Sequence, residues 1–259
     1  RGLGDVYKRQ KAQDETEVFA NDSKKKIYMH WMYDVPMGEQ LDDDGDSLES
    51  IEGCLTDAQY NRDEHRKAVI DDILDNWVSQ SHNGKFHAIL ATSSIPEAIK
   101  YYKLFAQRDC GLKTTAVFDP SDGNNESSIE KIDGIAQMLE DYNSLFGTCF
   151  NISGYASFKR DVCARLAHKT PYTAVENEPS KCLDILIVVD QMLTGYDSKW
   201  LNTLYMDKFY KWSNIEMIIQ AFSRTNRVFN DDKPHGIIRY YRRPYTCLLY
   251  TSDAADDKA

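Results

Sequence analysis

The segment Leu183–Asp190, LDILIVVD, is almost wholly aliphatic and constrains the fold more than any other stretch. Its length is that of a strand. A strand without polar alternation is one covered on both faces, as at the centre of a parallel sheet. Its centre, Ile185 to Val189, is also the longest uninterrupted apolar run in the chain. A membrane helix needs about 18 such residues, so none is expected, and no membrane partner with it.

Helices and strands alternate around that segment. Arg62–Ser81 reads as a helix with Val69, Ile70, Ile73, Leu74 and Trp77 on one stripe. Phe86–Thr92 is a buried strand, and Pro96 opens the helix Ile95–Gln107 at a position where proline is tolerated. Thr114–Phe118 is a second strand, closed by Asp119, Pro120 and Ser121. Helices are predicted over Ser127–Leu145, Tyr155–His168 and Asn214–Thr225, and further strands over Thr203–Asp207 and Gly236–Arg242. The pattern predicts an α/β fold, a doubly wound parallel sheet flanked by helices. Sites in such sheets lie beyond the carboxyl ends of the strands, which directs attention to residues after 92, 118 and 190.

This domain is expected over 61–245. Residues 11–60 read as an irregular linker, with seven acids and no base between Glu39 and Glu52. Residues 1–10 and 246–259 carry no period and look like translated adapter sequence, so the natural protein is expected to continue past both.

The chain's 259 residues, 42% hydrophobic, suffice for a packed core. Six scattered cysteines never form a CxxC pair, which suits reduced thiols in cytoplasm rather than a disulfide frame or a metal site. The net charge of -10 argues against a simple nucleic-acid-coating protein. Lys199–Arg243, however, holds nine bases against four acids. Charges beyond about 8 Å are screened, so this region can still meet phosphate, although a solvated basic face explains the charge equally well.

The informative chemistry lies in 213–227, SNIEMIIQAFSRTNR. Ser213 and Glu216 have capping-box spacing, and Ile215, Ile218, Ile219 and Phe222 form an inward stripe. Gln220, Arg224 and Arg227 stand at i, i+4 and i+7, on the opposite face. One amide and two guanidiniums there suit an anion, because the arginine fork binds phosphate through paired hydrogen bonds. The central strand leads into Thr194-Gly195-Tyr196-Asp197, where a glycine lets backbone N–H groups approach a phosphate. Asp197 suits ribose hydroxyls, or the orientation of Arg224 or Arg227; an ordinary tight turn is the bland alternative. Thr92-Ser93-Ser94 follows the first strand. One of these hydroxyls is expected to cap the next helix, and another could touch a nucleic-acid backbone.

Taken together, FHAILATSSIPEAIKYYKLF at 86–105, FKRDVCARLAHKTPY at 158–172, LDILIVVDQMLTGYDSKWLNTLYMDK at 183–208, IIQAFSRTNRVF at 218–229 and GIIRYYRRP at 236–244 resemble the second RecA-like motor domain of superfamily 2 helicase-type translocases. The resemblance is closer still to the R (motor and endonuclease) subunit of type I restriction enzymes, and covers about residues 60–245. It implies that Gln220, Arg224 and Arg227 are motif VI, facing ATP held on a first motor domain, with Arg224 and Arg227 catalytic. It implies that Thr194–Asp197 is motif V, with Asp197 toward the nucleotide, and that Ser93, Thr194 and Gly195 contact the DNA backbone. Double-stranded DNA, modification and specificity subunits, and an upstream first motor domain and nuclease domain are the partners implied.

The chain carries no GxxxxGK[ST] loop, and no strand ends in an Asp-Glu pair. Asp190 is followed by Gln191 and reads as structural. ATP and Mg2+ are therefore expected mainly on the other motor domain, and this chain alone is expected to be inactive. Two alternatives stay open: another superfamily 2 helicase or remodeller, and a non-catalytic α/β interaction module.

Overall fold

The computed structural model describes residues 22–40, 42, 48–108, 110–118, 128–189, 196–209, 215–229 and 233–247. The chain divides into two compact units, 1–56 and 57–259. In the first, α1 (Asp22–Met29) runs into a π-helical turn (His30–Asp34). The stretch read as irregular thus contains helix, though no residue of α1 is buried. Pro36 and Met37 carbonyls accept from the Ile51 and Glu52 amides, both at 2.9 Å, closing the segment on itself.

The second unit carries α2 (Asp57–Tyr60), α3 (Asp63–Gln80), β1 (His87–Thr92), α4 (Ile95–Gln107), β2 (Thr114–Val117) and α5 (Ser128–Phe146). It continues with α6 (Tyr155–Leu166), β3 (Ile185–Val188), β4 (Leu201–Asp207), α7 (Ile215–Thr225) and β5 (Ile237–Tyr240). The strands form one sheet in the order β2-β3-β1-β4-β5. Every pairing is parallel, with Ala88 opposite Ile185 and Thr92 opposite Asp207. This is the RecA-like α/β arrangement expected from the sequence, a parallel sheet flanked by helices.

Ile185, Leu186, Ile187 and Val188 are each 0% exposed, because β3 lies between β2 and β1 and both its faces are covered. Helices α3 and α4 cover one face. Tyr205 Oη donates to Gln80 Oε1 at 2.7 Å, and Tyr101 Oη donates to Asp207 Oδ2 at 2.8 Å. The two helices are joined by a buried ion pair. Arg66 Nε and one η nitrogen each donate to Glu97 at 2.7 Å, a two-pronged contact. Burial pushes the Glu97 carboxyl up, but hydrogen bonding and charge attraction to Arg66, with Lys100, together hold it below its ordinary value.

Removing one partner of such a pair strands a buried charge. Glu97→Ala is expected to cost about 3–5 kcal/mol in urea unfolding. Asp63 also meets Arg66, at 2.6 Å, but its side chain is 67% exposed. Asp63→Ala is expected to cost no more than about 1 kcal/mol by the same measurement.

Candidate functional site

Helix α7 supplies the first expected site residues. Ala221 and Thr225 turn inward, at 2% and 0% exposure, and Ile219 and Phe222 are half-buried beside them. Gln220 is exposed and Arg224 partly buried; four residues apart, they share a helix face.

The helix stops at Thr225. The Thr225 hydroxyl donates to the Phe222 carbonyl at 2.9 Å. A Cβ built on Gly236 would lie 2.3 Å from the Thr225 side chain, so only glycine lets the chain entering β5 press so closely on the helix end. Arg227 stands two residues past the helix, as the helix read over Asn214–Thr225 requires, so the i+7 spacing from Gln220 does not place it on the face of Gln220 and Arg224.

In that segment Arg227 meets Asp197, with Nε 2.7 Å from Oδ1. The two side chains remain 54% and 46% exposed, so the pair adds little stability, about 0–1 kcal/mol. Its effect is orientation: a charge-assisted contact at Nε sets the plane of the guanidinium. Arg224 contributes differently. Its Nε is buried and has no hydrogen-bond partner among the described residues. An unpaired buried donor costs about 1–3 kcal/mol.

Asp197 and Arg227 lie at the amino-terminal edge of the sheet. The His87 amide donates to the Trp200 carbonyl at 3.1 Å, and Leu201 pairs with His87. Tyr196 Oη and His87 Nε2 share a hydrogen bond of 3.0 Å, and both residues are buried. Burial, with His168 and Lys233 nearby, holds the His87 imidazole well below its ordinary value, so the pair is neutral. Phe229 packs on Trp200 and Phe86, with ring centroids 4.5 and 5.5 Å apart. Residues 196–200 and 227–229 therefore sit together beside the start of β1. Asp197 thus stands at the edge opposite the carboxyl ends to which the sequence directed attention, four residues before β4 begins at Leu201.

Ser93 sits at the carboxyl edge, roughly 17 Å away along six residues of strand. Thr92 is 0% exposed and donates to the Val188 carbonyl at 3.0 Å, so its hydroxyl serves the sheet. Ser94 is the N-cap of α4, accepting from the Glu97 amide at 3.4 Å. Ser93, between them, serves neither purpose. Behind it Asp207, 0% exposed, takes hydrogen bonds from Tyr101 and Arg242 and pairs with His65 at 2.7 Å. His65 and Arg242 together hold its carboxyl below the ordinary value despite burial. Thr194 and Gly195, like Asp190, Gln191 and Ser213, lie outside the described residues.

Sequence reasoning passed over Lys233. It is 1% exposed, and its Nζ donates to the Arg227 carbonyl at 2.8 Å and the Lys199 carbonyl at 3.2 Å. A lysine in NDDKPHG reads as a surface residue, and no local pattern marks it otherwise. Burial brings its amine down to about 8. Among the described residues no group of three or more His, Cys, Asp or Glu could hold a metal ion. Among them, too, no helix is long and apolar enough to cross a membrane.

A family model described as type I restriction enzyme subunit R domain 3 matches residues 84–243. The chain is 32% identical over 213 residues to the type I restriction enzyme SsaAORF53P endonuclease subunit of Staphylococcus saprophyticus, covering 79% of this chain and 22% of that protein. It is 31% identical over 200 residues to the SauMRSORF196P endonuclease subunit of Staphylococcus aureus, covering 74% and 20%. Over 60 residues it is 42% identical to the HindI endonuclease subunit of Haemophilus influenzae, covering 23% and 5%. The chain thus spans about a fifth of the length of the relatives it matches over most of its own.

The Lys233 amine predicts a stability profile. Between about pH 8 and its ordinary 10.5 the unfolded chain binds the proton that the folded chain has lost, so stability rises with pH across that window. In chemical unfolding at stepped pH, Lys233→Met is expected to flatten this rise. An unchanged slope would place the titration elsewhere.

Proposed function

The chain belongs to the type I restriction enzyme R-subunit domain 3 family, and from that we propose that it is the second motor domain of an ATP-dependent, DNA-translocating restriction subunit. The observation that carries this reading is the Asp197–Arg227 contact. It joins the two stretches that resemble motifs V and VI and holds a half-exposed guanidinium in a set orientation. Arg224, whose Nε has no hydrogen-bond partner among the described residues, would add a second guanidinium from α7.

The triphosphate, with Mg2+, supplies the phosphoryl group whose transfer drives the motor, and an upstream first motor domain would hold most of both. Arg227 and Arg224 would stabilise the charge that develops on the γ-phosphoryl oxygens, an effect worth about 10³–10⁵ in rate in related phosphoryl transfer. Gln220 would stand on the same side of α7 as Arg224, and Asp197 would orient Arg227. Ser93, Thr194 and Gly195 would touch the DNA backbone, so that closure between motor domains shifts duplex DNA. In this reading the parent subunit works in the cytoplasm with modification and specificity subunits, and its upstream nuclease domain cuts the DNA.

The test is Arg227→Ala in the full-length subunit. ATP turnover is expected to fall at least about 10³-fold, and translocation with it, while the melting temperature holds. Near-normal turnover would remove the assignment. The 259-residue chain alone is expected to hydrolyse no ATP, because it carries no GxxxxGK[ST] loop; turnover that copurifies with the chain and survives further purification would contradict this.

A further inference from the structure

We infer that Lys233 is the positioning residue for Arg227, an inference that rests on the arginine-finger reading above. Its Nζ bridges two carbonyls, those of Arg227 itself and of Lys199, two residues after Asp197. One ammonium therefore ties together the two main-chain segments whose side chains form the Asp197–Arg227 contact. That contact fixes the guanidinium end of Arg227, and Lys233 fixes its backbone end. The Phe229 amide donates to the Lys233 carbonyl at 3.4 Å, and the Phe229 ring lies against Trp200.

The arrangement is an expensive way to fill space. An ammonium loses its water on burial, and a methionine of similar length would fill the site without that penalty. Its amine is brought down toward neutrality by burial, with no carboxylate among the described residues contacting its Nζ. What methionine lacks is the pair of donors that hold the two segments in register. The register matters because a displacement of about 1 Å in a group that acts on a transition state can cost ~10²-fold in rate. Loss of such a group lowers kcat and leaves KM nearly unchanged, since the ground state does not use it.

The experiment uses the full-length subunit assembled with its partner subunits on duplex DNA, and compares wild type, Lys233→Met, Arg227→Ala and the double variant. Lys233→Met is expected to lower kcat for ATP roughly 10- to 100-fold, with KM within about twofold of wild type. The double variant is expected to show the residual rate of Arg227→Ala alone, because Lys233 acts only through Arg227. Full activity of Arg227→Ala would sink the arginine-finger reading itself. Three results would overturn the role of Lys233 while leaving that reading intact: wild-type kcat in Lys233→Met, a loss confined to KM, or a further independent drop in the double variant. Should Lys233→Met fail to fold by thermal melting, Lys233→Gln, which keeps one donating group, takes its place. Its kcat is expected between those of wild type and Arg227→Ala, and a wild-type value would refute the inference.

Discussion

Parallel pairing dictates where the parts of this domain stand. Because β3 and β4 run the same way on either side of β1, the chain leaving β3 at Val188 must return to the opposite edge before β4 begins at Leu201. It has done so by Tyr196, whose hydroxyl meets His87 at the start of β1. A single connection therefore belongs to both edges of the sheet. Helix α7 makes the same passage, ending where β5 begins, and so delivers Arg227 to the edge that Asp197 has reached.

Energetics and function are divided between different groups. The groups that stabilise the unit are buried and mutually satisfied: the aliphatic strand β3, the Arg66–Glu97 pair, and Asp207 with its three partners. The groups proposed to act on phosphate are the reverse. Arg227 is half exposed, Arg224 has a buried Nε without a partner among the described residues, and Ser93 is neither strand-locked nor a cap. Unmet polar capacity of this kind is a cost to the folded state, and it is where an incoming ligand gains most.

The fold was legible because its signals are local. The aliphatic run of β3, the Ser94 cap with Pro96, and the stripe Val69-Ile70-Ile73-Trp77 each declare an element without reference to the rest of the chain. Helix α4 keeps the bounds read from sequence, and most other elements end within a residue or two of them. The site was legible in composition and less so in position. Asp197 beside Arg227 was among the arrangements that the sequence allowed. The end of α7 at Thr225, with Arg227 beyond it, agrees with the helix read over Asn214–Thr225; the close approach of Gly236 to Thr225, eleven residues away in sequence, is what no local window encodes. Lys233 was invisible for the same reason. Its burial follows from the path of β5 and the Trp200–Phe229 contact, which no window of neighbouring residues encodes.

A structure of the full-length subunit with a non-hydrolysable ATP analogue and duplex DNA would show whether this domain presents Arg227 to a nucleotide held by another domain. The Arg227 guanidinium is expected within about 2.7–2.9 Å of a γ-phosphate oxygen, with Asp197 still at its Nε. An Arg227 side chain directed into solvent, with the phosphates neutralised wholly by groups from elsewhere, would contradict it.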